Sequence, residues 1–239
     1  MKKIRIIKYW ICLLCIPLSI SGVWGQKNAE DFIEKMEKTY SATKTLSFDG
    51  NVKYYTQINS ESPSEVMMIS YRRDGDKVHI TIGNQIVVYD GGVNIIINED
   101  EKRIYLSNKK PPSGKKYLPM GLSSQYLKSG FFNAKLEDYM GDKTRITLTE
   151  KDKSVASVIA FVAQKKTYFL EFARMIIDKE DEEVNPDINK KKFEYSYYNY
   201  KTTLSEKIDA NVYISKVKQG SKMVYKGIGR FKDFEIVQI

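Results

Sequence analysis

Three spacings of apolar residues succeed one another along this chain: a continuous run, then a helical stripe, then long stretches of two-residue alternation. The run from Trp10 to Ile20 is broken only by Pro17 and Ser19 and follows Lys2, Lys3, Arg5 and Lys8. A basic start before a short apolar segment is the layout of a secretory signal, and the segment is too short to span a bilayer comfortably. Small or β-branched residues at Val23 and Gly25 suit signal peptidase. Cleavage before Gln26 is therefore expected, with residues 1–25 as signal peptide and 26–239 as the mature chain. The helical stripe follows. Asn28 can cap a helix running to about Thr43, and Glu30 and Asp31 in its first turn favour the positive end of the helix dipole. Ile33, Met36 and Tyr40, with Phe32 beside them, recur at helical spacing and must pack on something.

From Leu46 the period becomes two. Leu46, Phe48, Val52 and Tyr54 alternate with Ser47, Asp49, Asn51 and Lys53, which predicts a strand wetted on one face. Strands are expected at Val66–Arg73 and Lys77–Ile82, joined through Asp74-Gly75, a strong hairpin signal. Gly83-Asn84 and Asp90-Gly91-Gly92 supply turns around Gln85–Tyr89, and Val93–Asn98 and Arg103–Leu106 continue the meander. The Pro- and Lys-rich stretch Ser107–Pro119 reads as a long connection inside one domain. Leu122–Tyr139 is apolar and aromatic without a clean strand period, so short helices or a structured loop are expected there. Alternation returns at Thr144–Thr149, and Val155–Ala163, apolar on both faces, predicts a buried central strand. Strands are further expected at Thr167–Ile177 and Lys192–Tyr200 around the acidic turn Asp178–Glu183. Val212–Val217 and Met223–Ile239 should form closing edges, with Phe231, Phe234, Ile236 and Ile239 able to dock. About ten strands make a sheet that should curl. The fold class is thus α+β, mainly antiparallel β, with one helix packed on a curved sheet.

Chemistry narrows the function by exclusion. The only two cysteines, Cys12 and Cys15, lie inside the signal, so the mature chain has no thiol. The residue before Cys15 is not small and the apolar run continues past it, which favours a soluble protein over a lipid-anchored one. The single histidine, His79, sits on a strand with Val78 and Ile80 on the opposite face. One histidine and no cysteine leave no zinc set and no Cys-His or Ser-His-Asp triad. Gly227-Ile228-Gly229 is too short for a phosphate loop and reads as a strand bend. No cofactor, metal or catalytic residue is expected, and the chain is expected not to be an enzyme. Loss of the signal lowers the formal charge from +9 to +5. The basic runs lie far apart, mostly in turns, which argues against nucleic acid and leaves peripheral contact with a membrane open.

A sheet curling around a helix either fills its concave face with side chains or leaves an apolar groove for an apolar ligand. Met67, Met68 and the many strand tyrosines are compatible with both outcomes.

The opening helix through Tyr40, the segment Leu46-Ser-Phe-Asp-Gly50, Tyr71-Arg72-Arg73 before a turn, and the Val87-Val-Tyr-Asp-Gly91 hairpin resemble the bacterial periplasmic lipoprotein-carrier (LolA/LolB-like) fold family. Tyr117–Tyr139 is similar in position to that family's helical lid, with Leu122, Leu127, Phe131 and Phe132 as lid residues. Tyr168–Ile177 and Phe193–Tyr200 also follow the family order. The resemblance implies an open half-barrel with the N-terminal helix and a helical lid on its concave side. It also implies a periplasmic, monomeric carrier for acylated lipoproteins or lipids, with a protein-interaction or lipid-sensing module of the envelope as the alternative. Arg73 matches the arginine that, in such carriers, hydrogen-bonds to the lid, so Arg73→Leu is expected to alter lipid exchange and leave the fold intact. The two-residue period then places Tyr71, Ile69 and Met67 on the same face as Arg73, as the ligand-binding residues.

Overall fold

The computed structural model describes residues 20–107, 124–151, 158–178, 190–220 and 222–239. Helix α1 spans Ile20–Ala42 and runs back through the expected cleavage position. Fourteen strands follow among the described residues: β1 (Thr45–Tyr55), β2 (Glu65–Asp74), β3 (Lys77–Ile82), β4 (Gln85–Tyr89), β5 (Asn94–Asn98), β6 (Arg103–Ser107), β7 (Phe132–Tyr139), β8 (Lys143–Glu150), β9 (Val158–Gln164), β10 (Leu170–Asp178), β11 (Lys190–Lys201), β12 (Ile214–Gln219), β13 (Lys222–Gly227) and β14 (Glu235–Gln238). A five-residue helix α2, Ser124–Lys128, precedes β7. The turn around Asp178–Glu183, the connection after Ser107 and the start of the segment Val155–Ala163 fall wholly or mainly outside the described residues.

Twelve strands form one open sheet in the order β14-β6-β5-β4-β3-β2-β1-β11-β10-β9-β8-β7, and β12 and β13 form a separate hairpin. All the pairings in the large sheet are antiparallel except that of β14 with β6. The sheet has two halves. One is the meander β2–β6 closed by β14, the other is β7–β11, and β1 joins them by pairing with both β2 and β11.

Residues paired directly across strands share a face, and that rule separates two cores. On one face Ala29, Ile33, Met36 and Tyr40 of α1 pack on Leu46, Phe48, Val52, Ile146, Leu148, Phe161, Leu170 and Ala173. Phe132, Ala134 and Leu136 of β7 join this cluster. Flat, the strands from β2 to β7 would span about 29 Å, against about 10 Å for a helix. The sheet therefore wraps α1 on its concave side. On the opposite, outer face Ile86, Val88, Ile95, Ile97, Ile104 and Leu106 are covered by Ile208, Ala210, Ile214 and Phe231 from the C-terminal segment.

This arrangement explains why β4 and β5 read as apolar on consecutive residues: one set faces the concave side and the other lies under the C-terminal segment. Gly227 sits where that segment folds back, and a Cβ there would run into the Phe231 carbonyl. His79 lies beneath the same segment, its Nε2 2.6 Å from the Tyr213 hydroxyl. Burial, with Arg72 nearby, holds His79 below its ordinary pKa of 6.5. A histidine depressed in the folded state stabilises fully above about pH 6.5, and that contribution is lost as pH falls below it. The melting temperature should therefore drop between pH 7.5 and 5.5, and by less in His79→Gln; equal drops in both proteins would remove His79 from the acid response.

The helical lid is not confirmed among the described residues, and part of its expected segment is strand. Phe132–Tyr139, expected within short helices or a structured loop, is strand β7, paired with β8 from Phe132↔Glu150 to Tyr139↔Lys143. The only helix described in that segment is α2. Its Leu127 is buried against α1, Phe131 is 59% exposed in the turn before β7, and Leu122 lies outside the described residues.

Candidate functional site

Along the concave face the meander carries an apolar row in direct cross-strand register: Tyr71↔Ile80, Ile80↔Val87, Val87↔Ile96 and Ile96↔Tyr105. Phe48 begins it, paired with Tyr71 and stacked on its ring at 4.8 Å. A flanking row contains Met67, Ile69 and Ile82, the last 39% exposed. From β2 to β6 the row is about 19 Å long. Near β1 it merges with the core beneath α1. Farther out, Ile80, Val87, Ile96 and Tyr105 are half-buried and belong to neither core cluster among the described residues.

Arg73, Tyr71, Ile69 and Met67 all lie on this concave face, opposite Leu46, Phe48, Gly50 and Val52 of β1. Arg73 is 2% exposed. Its Nη2 donates to the carbonyl of Tyr40 and, at 2.6 Å, to that of Thr43. These carbonyls end α1, where the backbone lacks helical partners, and a cation there also meets the negative end of the dipole. Arg73 thus fastens the C-terminal end of α1 to β2. Burial raises the Tyr71 hydroxyl pKa, and the Arg73 charge and hydrogen bond oppose that rise.

A second fastening, unmarked in the sequence, joins the same helix end to the other half of the sheet. The Tyr200 hydroxyl donates to the Leu170 carbonyl at 2.6 Å, and the Tyr40 hydroxyl accepts from the Leu170 N–H at 3.1 Å and lies 3.0 Å from the Tyr200 hydroxyl. Burial pushes Tyr40 up to about 12 and raises Tyr200 well above its ordinary value, so both remain neutral donors. Toward the middle of α1, Glu37 accepts from the Ser124 N–H and hydroxyl, and Glu34 pairs with Lys128 at 2.5 Å. These contacts set α2 and the entry to β7 against α1.

The outer face offers different chemistry. An open groove of about 870 Å³ over β8–β11 is lined by Lys143, Glu171, Phe172, Arg174 and Tyr198, among others. Its charges pair with one another or with neighbours, Lys143 with Glu171 at 2.7 Å and Arg174 with Glu194 at 2.8 Å. Among the described residues no group of three or more His, Cys, Asp or Glu could hold a metal, and no helix is long and apolar enough to cross a membrane.

No protein-family model matches the sequence, and no curated protein matches it. Solved structures do. One is named as an outer membrane lipoprotein-sorting protein domain, from Vibrio parahaemolyticus, at 10% identity and a TM-score of 0.37, covering 78% of this chain and 96% of that one. A second, from Nitrosomonas europaea, is at 10% identity and a TM-score of 0.28, covering 72% and 92%. That second neighbour is a LolA-superfamily protein. A conserved protein of unassigned function from Thermus thermophilus is similar at 5% identity and a TM-score of 0.45, covering 86% and 98%.

Of the site residues expected from sequence, the structure brings Arg73, Tyr71, Ile69 and Met67 to one face and leaves Leu127, Phe131 and Phe132 on three different elements. The outer members of the row, Ile80, Val87, Ile96 and Tyr105, are not singled out by sequence reasoning. The signal that could have found Val87 and Ile96 is the pair of consecutive apolar triplets Ile86-Val87-Val88 and Ile95-Ile96-Ile97, which require burial on both faces.

Proposed function

We propose that this chain is a non-enzymatic carrier of the periplasm that shelters the acyl chains of lipids or lipoproteins against the concave row of β2–β6. The observation that carries the reading is the row Tyr71, Ile80, Val87, Ile96, Tyr105: continuous, apolar and, beyond Tyr71, outside both core clusters among the described residues. An acyl chain in water is unfavourable by about 0.8 kcal/mol per CH₂, so a carrier must cover many methylenes at once. A strip running across five strands offers contact along the whole length of an extended chain. Its one end is rigid where α1 is fastened by Arg73, Tyr40 and Tyr200. Met67 supplies an unbranched, adaptable side chain beside it.

The test is uptake of a fluorescent fatty acid by the mature protein, with native mass spectrometry of whatever co-purifies. Wild type is expected to bind the probe. Ile80→Asp, which places a charge in the middle of the row, should weaken binding tenfold or more, equivalent to about 1.4 kcal/mol. Val87→Asp should act alike, with circular dichroism unchanged in at least one of the two. A protein that purifies empty and takes up no fatty acid would overturn the carrier reading and favour the protein-interaction alternative.

A further inference from the structure

We propose that the β12–β13 hairpin is a docking element for anionic lipid bilayers. It is not part of the twelve-stranded sheet. Its base is held by Ile214 and Phe231, each 4% exposed in the outer-face core, and by the Ile228 N–H donating to the Tyr213 carbonyl at 3.0 Å. Beyond that base the ribbon stands in water, with every residue from Lys216 to Gly220 exposed.

Charge and shape agree on the partner. From Ile214 to Lys232 the sequence holds six basic residues, Lys216, Lys218, Lys222, Lys226, Arg230 and Lys232, and no acid. Arg230 is engaged with Glu99 at 2.6 Å. Lys216, Lys218 and Lys226 are exposed and form no ion pair among the described residues. Elsewhere on the chain, exposed cations such as Arg72, Arg103 and Lys135 are matched by carboxylates. Among the lysines sit two exposed valines, Val212 and Val217, beside Tyr225, which packs on the edge of the outer-face core. Val217, 36% exposed, faces Val224 across the ribbon, Tyr225 lies 5.5 Å below the Lys216 ammonium, and Val212 at the base is 60% exposed.

An acidic protein surface would be met by the lysines alone. A bilayer offers a partner to both sets, since phosphates take the ammonium groups while the exposed valines enter the boundary between headgroups and acyl chains. Each lysine near such a surface contributes about a factor of five or more to affinity, and the attraction fades within a Debye length, about 8 Å at physiological salt.

The experiment is flotation of the mature chain with vesicles of phosphatidylcholine alone or of phosphatidylcholine and phosphatidylglycerol at three to one. Binding is expected only to the mixed vesicles, and should fall on adding salt. The triple variant Lys216→Glu, Lys218→Glu, Lys226→Glu should bind about a hundredfold more weakly, with unchanged melting temperature and fatty-acid uptake. Absence of binding to the mixed vesicles, equal binding by the triple variant, or preference for soluble polyaspartate over vesicles would each overturn the proposal. The acyl-chain reading is tested by separate variants, so Ile80→Asp should still float with the mixed vesicles.

Discussion

Replacing Arg73 with leucine is expected to lower stability by about 2–4 kcal/mol, because it strips the buried carbonyls of Tyr40 and Thr43 of a charged donor. In a chain of this size that corresponds to a fall in melting temperature of roughly 5–15 °C. The sequence alone predicts a change in lipid exchange with the fold intact. Burial and the tie to α1 replace it with a coupled loss, in which a loosened helix end also alters access to the row beside it. Arg73→Lys keeps a charged donor but not the reach to both carbonyls, and should recover part of the stability. Thermal melts of the three proteins decide the point. A leucine variant that melts with wild type would show that α1 does not depend on this contact.

An equally large effect is expected at Gly50. The residue lies on β1 at the seam between the two halves of the sheet, paired with Tyr197 of β11. A Cβ built there would strike the backbone carbonyl of Ser196 and press on the Tyr197 ring. The approach is close because the β1–β11 register shifts between Ser47 and Asp49, where Asn199 adopts a left-handed φ of 56°. Backbone cannot swing aside as a flexible side chain can. Gly50→Ala should destabilise by about 1–3 kcal/mol and Gly50→Val by more. Denaturant unfolding would show it, and a valine variant as stable as wild type would mean that the strands can part here without loss.

Much of this architecture can be read in the sequence wherever short-range chemistry decides it. Asp74-Gly75 and Gly83-Asn84 mark their hairpins, and Ile33, Met36 and Tyr40 mark the buried face of α1. Reading fails where distant partners decide. Leu127 with Phe131, and Phe132 with Leu136, are spaced as on a helix, while Phe132, Ala134 and Leu136 are also spaced as on a strand. Pairing with β8 settles the matter, and no window around β7 contains β8's contribution. The strand period gives the face of Arg73 but not its partners, because its burial is created by the end of α1, some thirty residues earlier. Phe231 can be recognised as a docking residue, but not the face it covers, since both faces of β4 and β5 are apolar.

The parallel pairing of β14 with β6 has a consequence for the order in which the chain can acquire its structure. The meander β2–β6 is built from adjacent hairpins and needs only local contacts, so it can form early and fast. Its outer face and its free edge, however, are completed by residues that arrive at the end of the chain: Ile208 to Phe231 for the face, Glu235 to Gln238 for the edge. Until then the meander exposes Ile95, Ile97 and Ile104 beside an unpaired strand, the combination that invites one chain to add to another. A chain made N-terminus first would pass through that state, and the C-terminal segment then covers both the apolar face and the open edge at which such addition would start.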